Sequence, residues 1–295
     1  YPGIFTPDLL VNQPGDDRPI LFVEYSHSMG NSTGNMKELW DLFRSRRRII
    51  GGCIWDFKDQ GLLKNDEKGT PFYAYGGDYG EKIHTSNFCL NGIVASDGRP
   101  KGAMYECKYV FQPVVTSLVD CEKGMLKVEN RHASASLDRY IPVVTVMENG
   151  VIIESVNLPA ISLAAQKDTI ISIKNHLPKK RSGNEYLLNV EFKLSESTPW
   201  APAGFVIATN QHRLTGLSAP DRKKSSVGET QFKETENEYI VSGRGFGYTF
   251  SKENGALISG RMNGKEYMEK PLLPHFTRAL TDNERRGWRP DIIMH

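Results

Sequence analysis

The sequence predicts a mixed fold, a parallel α/β region followed by antiparallel β structure. Three observations carry this expectation. Two apolar runs, Ile20 to Val23 and Ile49 to Trp55, flank a segment whose apolar residues recur at helical spacing. From about Pro113 onward the apolar pattern changes to period two, as half-buried strands require. Asn-Gly pairs at Asn149-Gly150, Asn254-Gly255 and Asn263-Gly264 then sit among the alternating runs, and such pairs favour hairpins because both residues accept positive φ.

Each element follows in chain order. Ile20-Leu21-Phe22-Val23 is continuously apolar and stops at Glu24, which fits a strand buried on both faces with a polar end. A Gly/Ser/Asn turn covers Ser28 to Gly34. Met36, Leu39, Trp40, Leu42 and Phe43 then form an apolar helical stripe, and Arg44, Arg46, Arg47 and Arg48 are expected to fill the last turn, where cations suit the helix dipole. A second strand, Ile49 to Trp55, closes at Asp56, so strand, helix and strand make one parallel βαβ unit. Beyond Pro113, Val143 to Met147 and Val151 to Val156 flank the first Asn-Gly turn, and Tyr248 to Phe250 and Leu257-Ile258 flank the second. The polar, proline-containing stretch Ser218 to Gly228 reads as a linker between a sandwich and the start of another β domain. Gly243, Gly245 and Gly247 lead into an alternating strand rather than a helix, so they are not a dinucleotide fingerprint.

The chain has 295 residues with 37 Lys+Arg against 35 Asp+Glu, a formal net charge of +2. That length suggests about two domains with sizeable cores. The near-neutral balance argues against a nucleic-acid or membrane-surface protein, and no apolar run approaches the length needed to span a bilayer. Cys53, Cys89, Cys107 and Cys121 show no metal-type pairing and read as isolated thiols. Tyr1-Pro2-Gly3 has no initiator Met and Asp291 to His295 closes no recognisable unit, so the expectation is a piece of a longer chain.

The chemistry concentrates after the two buried strands. Glu24-Tyr25-Ser26-His27-Ser28-Met29-Gly30-Asn31-Ser32 puts a carboxylate, a phenol and an imidazole at a strand terminus, where α/β folds meet their ligands. Glu24 could be a nucleophile or general base there, or a structural acid paired to an arginine. Trp55 offers a flat apolar face for stacking on sugar C–H groups, or else a core aromatic; Asp56 and Asp59 could be turn residues. Tyr75-Gly76-Gly77-Asp78 and Phe88-Cys89-Leu90-Asn91-Gly92 are glycine-punctuated loops of the kind that line pockets or simply turn the chain. Asn31-Ser32-Thr33 matches a glycosylation sequon in a poor setting for it, directly after a buried strand.

Together these segments, with Gly51-Gly52-Cys53-Ile54-Trp55-Asp56, Asp59-Gln60, Ala74-Tyr75-Gly76-Gly77-Asp78, Phe276-Thr277-Arg278-Ala279 and Asp282-Asn283, resemble the large retaining β-galactosidases of glycoside hydrolase family 2. The resemblance implies the C-terminal part of a (β/α)8 TIM barrel over residues 1–112, an immunoglobulin-like β-sandwich over 113–220, and the start of a large β-sandwich domain over 225–295. It implies Glu24 as the catalytic nucleophile, His27 and Asn91 as sugar contacts, Trp55 as the floor under galactose, and the Phe88 carbonyl with Asn91 as part of a sodium site. Magnesium is implied too, with its ligands outside this chain. The family's acid/base Glu follows an Asn at an earlier barrel strand, and Asn184-Glu185, Asn237-Glu238 and Asn283-Glu284 do not occupy such a place. The chain alone is therefore expected to be inactive. The expected partner is a β-galactoside, with a possible homo-oligomer in the full-length enzyme and a cytoplasmic or periplasmic location. The rivals are another family 2 glycosidase, of β-glucuronidase or β-mannosidase type, and a non-catalytic carbohydrate-binding or assembly module.

Overall fold

A computed structural model describes residues 17–214, 229–275 and 279–285. The chain divides into two compact units, the second beginning at Ala219, with Thr281–Asn283 belonging to the first.

The first unit opens with β1 (Ile20–Tyr25), α1 (Met36–Ser45) and β2 (Ile49–Ile54), and β1 and β2 pair in parallel from Ile20 opposite Ile49 to Tyr25 opposite Ile54. The predicted βαβ unit is therefore present. The helix buries Met36, Leu39 and Phe43, the stripe that helical spacing puts on one face. Phe43 stacks on Phe22 of β1 with ring centroids 5.0 Å apart and planes 8° from parallel, and lies 5.7 Å from Tyr25. Trp40 packs on Phe43 and donates its indole N–H to the Tyr25 hydroxyl at 2.8 Å. Burial pushes the Tyr25 phenol above its ordinary pKa, the indole bond working the other way. Each such ring contributes about 1.5 to 3 kcal/mol through burial, which makes this cluster the main fastening between helix and strands.

Two expectations here need correction. The strands are not buried on both faces: Leu21, Val23 and Ile50 are 51%, 68% and 65% exposed. A strand face is buried only where a second layer covers it, and the described residues supply α1 and its neighbours on one side only. The arginine run also does not fill the last helical turn. Arg44 lies in it and donates to the Val110 carbonyl at 2.7 Å, but Arg46 is extended and caps the helix. The chain turns at Arg47 to enter β2.

A small antiparallel hairpin follows, β3 (Leu62–Asn65) with β4 (Pro71–Ala74), then α2 (Gly102–Phe111). Gln112 is non-helical ahead of Pro113, whose ring disfavours a helical residue before it, and the next element is a strand. That is where the apolar period changes in the sequence. Seven further antiparallel strands follow in this unit, β5 (Val114–Asp120), β6 (Met125–Asn130), β7 (Tyr140–Glu148), β8 (Val151–Asn157), β9 (Asp168–Ser172), β10 (Tyr186–Leu194) and β11 (Val206–Arg213). They form a sheet in the order β11-β10-β7-β8 and another in the order β5-β6-β9. Val114, Leu126 and Val128 of one sheet and Val144, Val146, Leu188, Val190 and Phe192 of the other share one buried core. Along β10, Tyr186, Leu188, Val190, Phe192 and Leu194 are buried while the residues between them are half-buried, the alternation expected of a sheet with one covered face.

The second unit is a meander of β12 (Gln231–Glu234), β13 (Glu238–Gly243), β14 (Phe246–Ser251), β15 (Leu257–Met262) and β16 (Lys265–Glu266), each paired with the next. The Asn149-Gly150 and Asn263-Gly264 pairs close two-residue turns with positive φ at both positions. The Asn254-Gly255 turn differs. Only Gly255 takes positive φ, and the Asn254 side chain accepts the Ala256 N–H at 3.0 Å, so a longer loop joins β14 to β15. The expected linker, Ser218 to Gly228, lies outside the described residues. All four cysteines are free thiols, and burial pushes that of Cys107 up to about 11. Among the described residues no helix is long and apolar enough to cross a membrane.

Candidate active site

The C-terminal ends of the two parallel strands assemble the site. Glu24 falls where the β1–β2 register slips between Val23 and Tyr25, and it takes φ +58° in the left-handed region. Such a bulge re-aims one side chain. Phe22 and Tyr25 both lie on the covered face, although strict alternation would have put Glu24 there, and Glu24 is left half-buried. A left-handed glutamate costs about 1 to 3 kcal/mol and persists where its surroundings over-determine it, a condition typical of functional positions. Ser26 is also left-handed, at φ +47°.

Backbone hydrogen bonds lace this strand end to the next. Trp55 N–H donates to the Tyr25 carbonyl at 3.1 Å, and Ser28 N–H donates to the Trp55 carbonyl at 2.8 Å. Trp55 follows β2 directly and is 42% exposed, as a stacking platform must be. Asp56 N–H donates to the Asn91 carbonyl at 2.7 Å, and Gly30 N–H donates to the Leu90 carbonyl at 3.3 Å, so the Phe88 to Val94 segment lies against both strand ends. The rings of His27 and Phe88 are 5.6 Å apart. The structure thus brings the segments of His27, Trp55, Phe88 and Asn91 together at the end of the strand that carries Glu24.

His27 is buried, and Asn283, a residue far away in the chain, holds it at two points. Asn283 Nδ2 donates to the His27 carbonyl at 2.9 Å, which turns the amide so that its Oδ1 accepts from His27 Nδ1 at 2.9 Å. In the neutral ring this puts the proton on Nδ1 and leaves Nε2 as the acceptor nitrogen. The same segment is held by Asp282 N–H donating to Asn31 Oδ1 at 2.9 Å and Asn283 N–H donating to Ser32 Oγ at 3.2 Å. Gly30 makes the approach possible: a Cβ there would lie 1.6 Å from Asp282 Oδ2. The only signal for Asn283 in the sequence was the Asp282-Asn283 pair in the resemblance, because a contact across 256 residues has no local pattern. Phe276, Thr277 and Arg278 of that same motif lie outside the described residues.

Asp56 accepts from the Gln60 side chain at 2.8 Å through one oxygen, while the other is buried without a hydrogen-bond partner. Burial raises its pKa above the usual carboxylate value, opposed by the Gln60 bond. Asn91 is also buried. Its Nδ2 donates to the Phe88 carbonyl at 2.6 Å, and its Oδ1 has no hydrogen-bond partner. A buried orphan amide oxygen next to a main-chain carbonyl is a donor set suited to a hard alkali cation. Among the described residues no group of three or more His, Cys, Asp or Glu could hold a metal ion.

Three family models match the chain: the TIM barrel domain of glycosyl hydrolases family 2 over residues 6–116, domain 4 of β-galactosidase over 126–215, and the β-galactosidase small chain over 242–293. The chain is 34% identical over 268 residues to a β-galactosidase of Priestia megaterium, covering 90% of this chain and 26% of that protein. It is 33% identical over 289 residues to a β-galactosidase of Psychromonas ingrahamii, covering 96% and 28%. It is 34% identical over 279 residues to β-galactosidase 2 of Enterobacter cloacae, covering 93% and 26%. The chain therefore spans about a quarter of the length of the curated relatives it matches. In order along its length, the chain is thus similar to glycoside hydrolase family 2 over its first region and to β-galactosidase domains over the remainder.

Proposed function

We propose that the chain is part of a retaining β-galactosidase in which Glu24 is the nucleophile. The observation that carries this reading is the bulged, left-handed Glu24 at a parallel strand end, with the exposed Trp55 at the end of the paired strand and the buried His27 three residues on. Its β1, α1 and β2 would be the closing part of a (β/α)8 barrel, and the apolar face of Leu21, Val23 and Ile50 would point into that barrel. The two sheets after Pro113 would form an immunoglobulin-like sandwich, and the second unit the start of a larger β-sandwich domain.

Retaining hydrolysis needs two carboxyl groups about 5 to 5.5 Å apart. A Glu24 carboxylate oxygen attacks the anomeric carbon as the bond to the leaving oxygen breaks, and a second carboxylic acid gives that oxygen its proton. The same group, now a base, then takes a proton from the water that cleaves the galactosyl ester and frees Glu24. That second carboxyl would come from a part of the enzyme outside these 295 residues, as would the magnesium ligands, so the isolated chain is expected not to turn over galactosides. Trp55 would stack under the sugar ring, and His27 Nε2, an acceptor in the neutral ring, would receive a hydrogen bond from a sugar hydroxyl. The Phe88 carbonyl and Asn91 Oδ1 would hold sodium, which supplies a fixed positive charge for sugar oxygens.

The test is a substrate panel on the full-length protein. Turnover of nitrophenyl β-galactoside well above the matching glucuronide and mannoside is expected, and preference for either of those sugars would replace the galactosidase reading with another family 2 specificity.

A further inference from the structure

We infer that Lys101 is a positioning residue for Asn91, acting through a buried Asp59 carboxylate and the backbone of Gly92. The inference rests on the reading of Asn91 as part of the sugar site.

Lys101 immediately precedes α2, far in sequence from the strand ends, and its ammonium group reaches the Asp59 carboxylate at 2.7 Å. The Asp59 side chain is 9% exposed and that of Lys101 22%, so solvent screens this pair little. Asp59 Oδ1 also accepts the Gly92 N–H at 2.8 Å, the amide directly after Asn91. One carboxylate thus receives a side-chain cation and a loop amide, fixing the loop to the turn that follows Trp55. Around it, Ile93 N–H donates to the Asp56 carbonyl at 3.0 Å, Val94 N–H to the Phe57 carbonyl at 3.0 Å, Asp59 N–H to the Val94 carbonyl at 2.8 Å and Lys101 N–H to the Ile93 carbonyl at 3.0 Å. Gly92 is required by this contact, since a Cβ would lie 2.2 Å from Asp59 N and 2.3 Å from the Lys58 carbonyl carbon.

Without Lys101, the Asp59 carboxylate keeps one amide donor and loses its counter-ion in a nearly closed site. A lone buried carboxylate is driven toward water, and moving it releases the Gly92 amide and with it the register of Asn91. Lys101 touches neither sugar nor nucleophile in this account. Its loss weakens the ground state and transition state together, which raises KM more than it lowers kcat.

The experiment uses the full-length protein. Lys101→Met should raise KM for nitrophenyl galactoside about tenfold, with kcat falling by less than about threefold, and Lys101→Arg should restore KM to within about threefold of the parent. Hydrogen exchange at residues 88–94 should quicken in Lys101→Met and return toward the parent in Lys101→Arg. If Lys101→Met fails to fold, the double variant Asp59→Leu with Lys101→Met, which buries no lone charge and leaves the Gly92 N–H without its acceptor, should show the same rise in KM. A folded Lys101→Met with parental KM and parental exchange overturns the inference. A parent that does not turn over galactosides, with exchange still quickened by Lys101→Met, overturns the galactosidase reading and leaves the clasp standing.

Discussion

Asn283 grips His27 at two points, its Nδ2 on the main-chain carbonyl and its Oδ1 on ring Nδ1, each at 2.9 Å, across 256 residues of chain. The amide fixes both the tautomer and the tilt of a buried imidazole, so the nitrogen proposed to meet the sugar is set by a residue that never touches it.

Removing that grip is the first prediction. Asn283→Ala in the full-length protein orphans a buried imidazole N–H and a carbonyl, a cost of about 1 to 3 kcal/mol. Steady-state kinetics should show KM for nitrophenyl galactoside raised by about tenfold or more. An unchanged KM would mean that His27 is held by other contacts or does not meet the sugar.

The aromatic cluster should set the stability of the βαβ unit. Phe43→Ala removes the ring that stacks on Phe22 and packs on Tyr25 and Trp40, and should cost about 3 to 5 kcal/mol. Chemical denaturation followed by tryptophan fluorescence measures this, because Trp40 lies in the cluster. A loss below about 1 kcal/mol would show that the helix is fastened elsewhere.

Two histidines in the antiparallel region should make it acid-sensitive. Burial lowers the pKa of His132, whose Nε2 shares a hydrogen bond with the Tyr140 hydroxyl at 2.8 Å, and of His212, whose Nε2 meets Thr116 Oγ1 at 2.7 Å. The unfolded chain protonates these rings near the ordinary value of about 6.5, before the folded chain does. Unfolded protein then binds more protons, so stability is full above that pH and falls as pH drops toward the lower folded values. Thermal melts from pH 7 to 5 should show this decline, and His212→Gln should flatten part of it; a slope unaffected by the substitution would assign the acid response to other groups.

Much of this architecture was legible in the residues. The βαβ unit followed from apolar periodicity, and two of the three Asn-Gly turns from the need for positive φ. The change of regime at Pro113 followed from a shift in period that no distant contact could mask. The exposure of Leu21, Val23 and Ile50 was not legible, because an apolar run reports what a strand prefers and not whether a layer covers it. The bulge at Glu24 was hidden for a related reason. It is a mismatch between two strands, and neither strand contains it alone. Glu24, His27, Trp55, Phe88 and Asn91 were all named from motifs, yet the residues that hold His27 and Asn91 in place, Asn283, Asp59 and Lys101, act through contacts between distant segments.

The most direct test of the central claim is to trap the intermediate. The full-length protein is incubated with a 2-fluoro-galactoside carrying a good leaving group, digested, and read by mass spectrometry for the modified peptide. One fluorogalactosyl adduct is expected, mapped to Glu24 and absent from Glu24→Gln, because without a carboxylate no ester forms. An adduct on another carboxylate, or one that persists in Glu24→Gln, would contradict that claim.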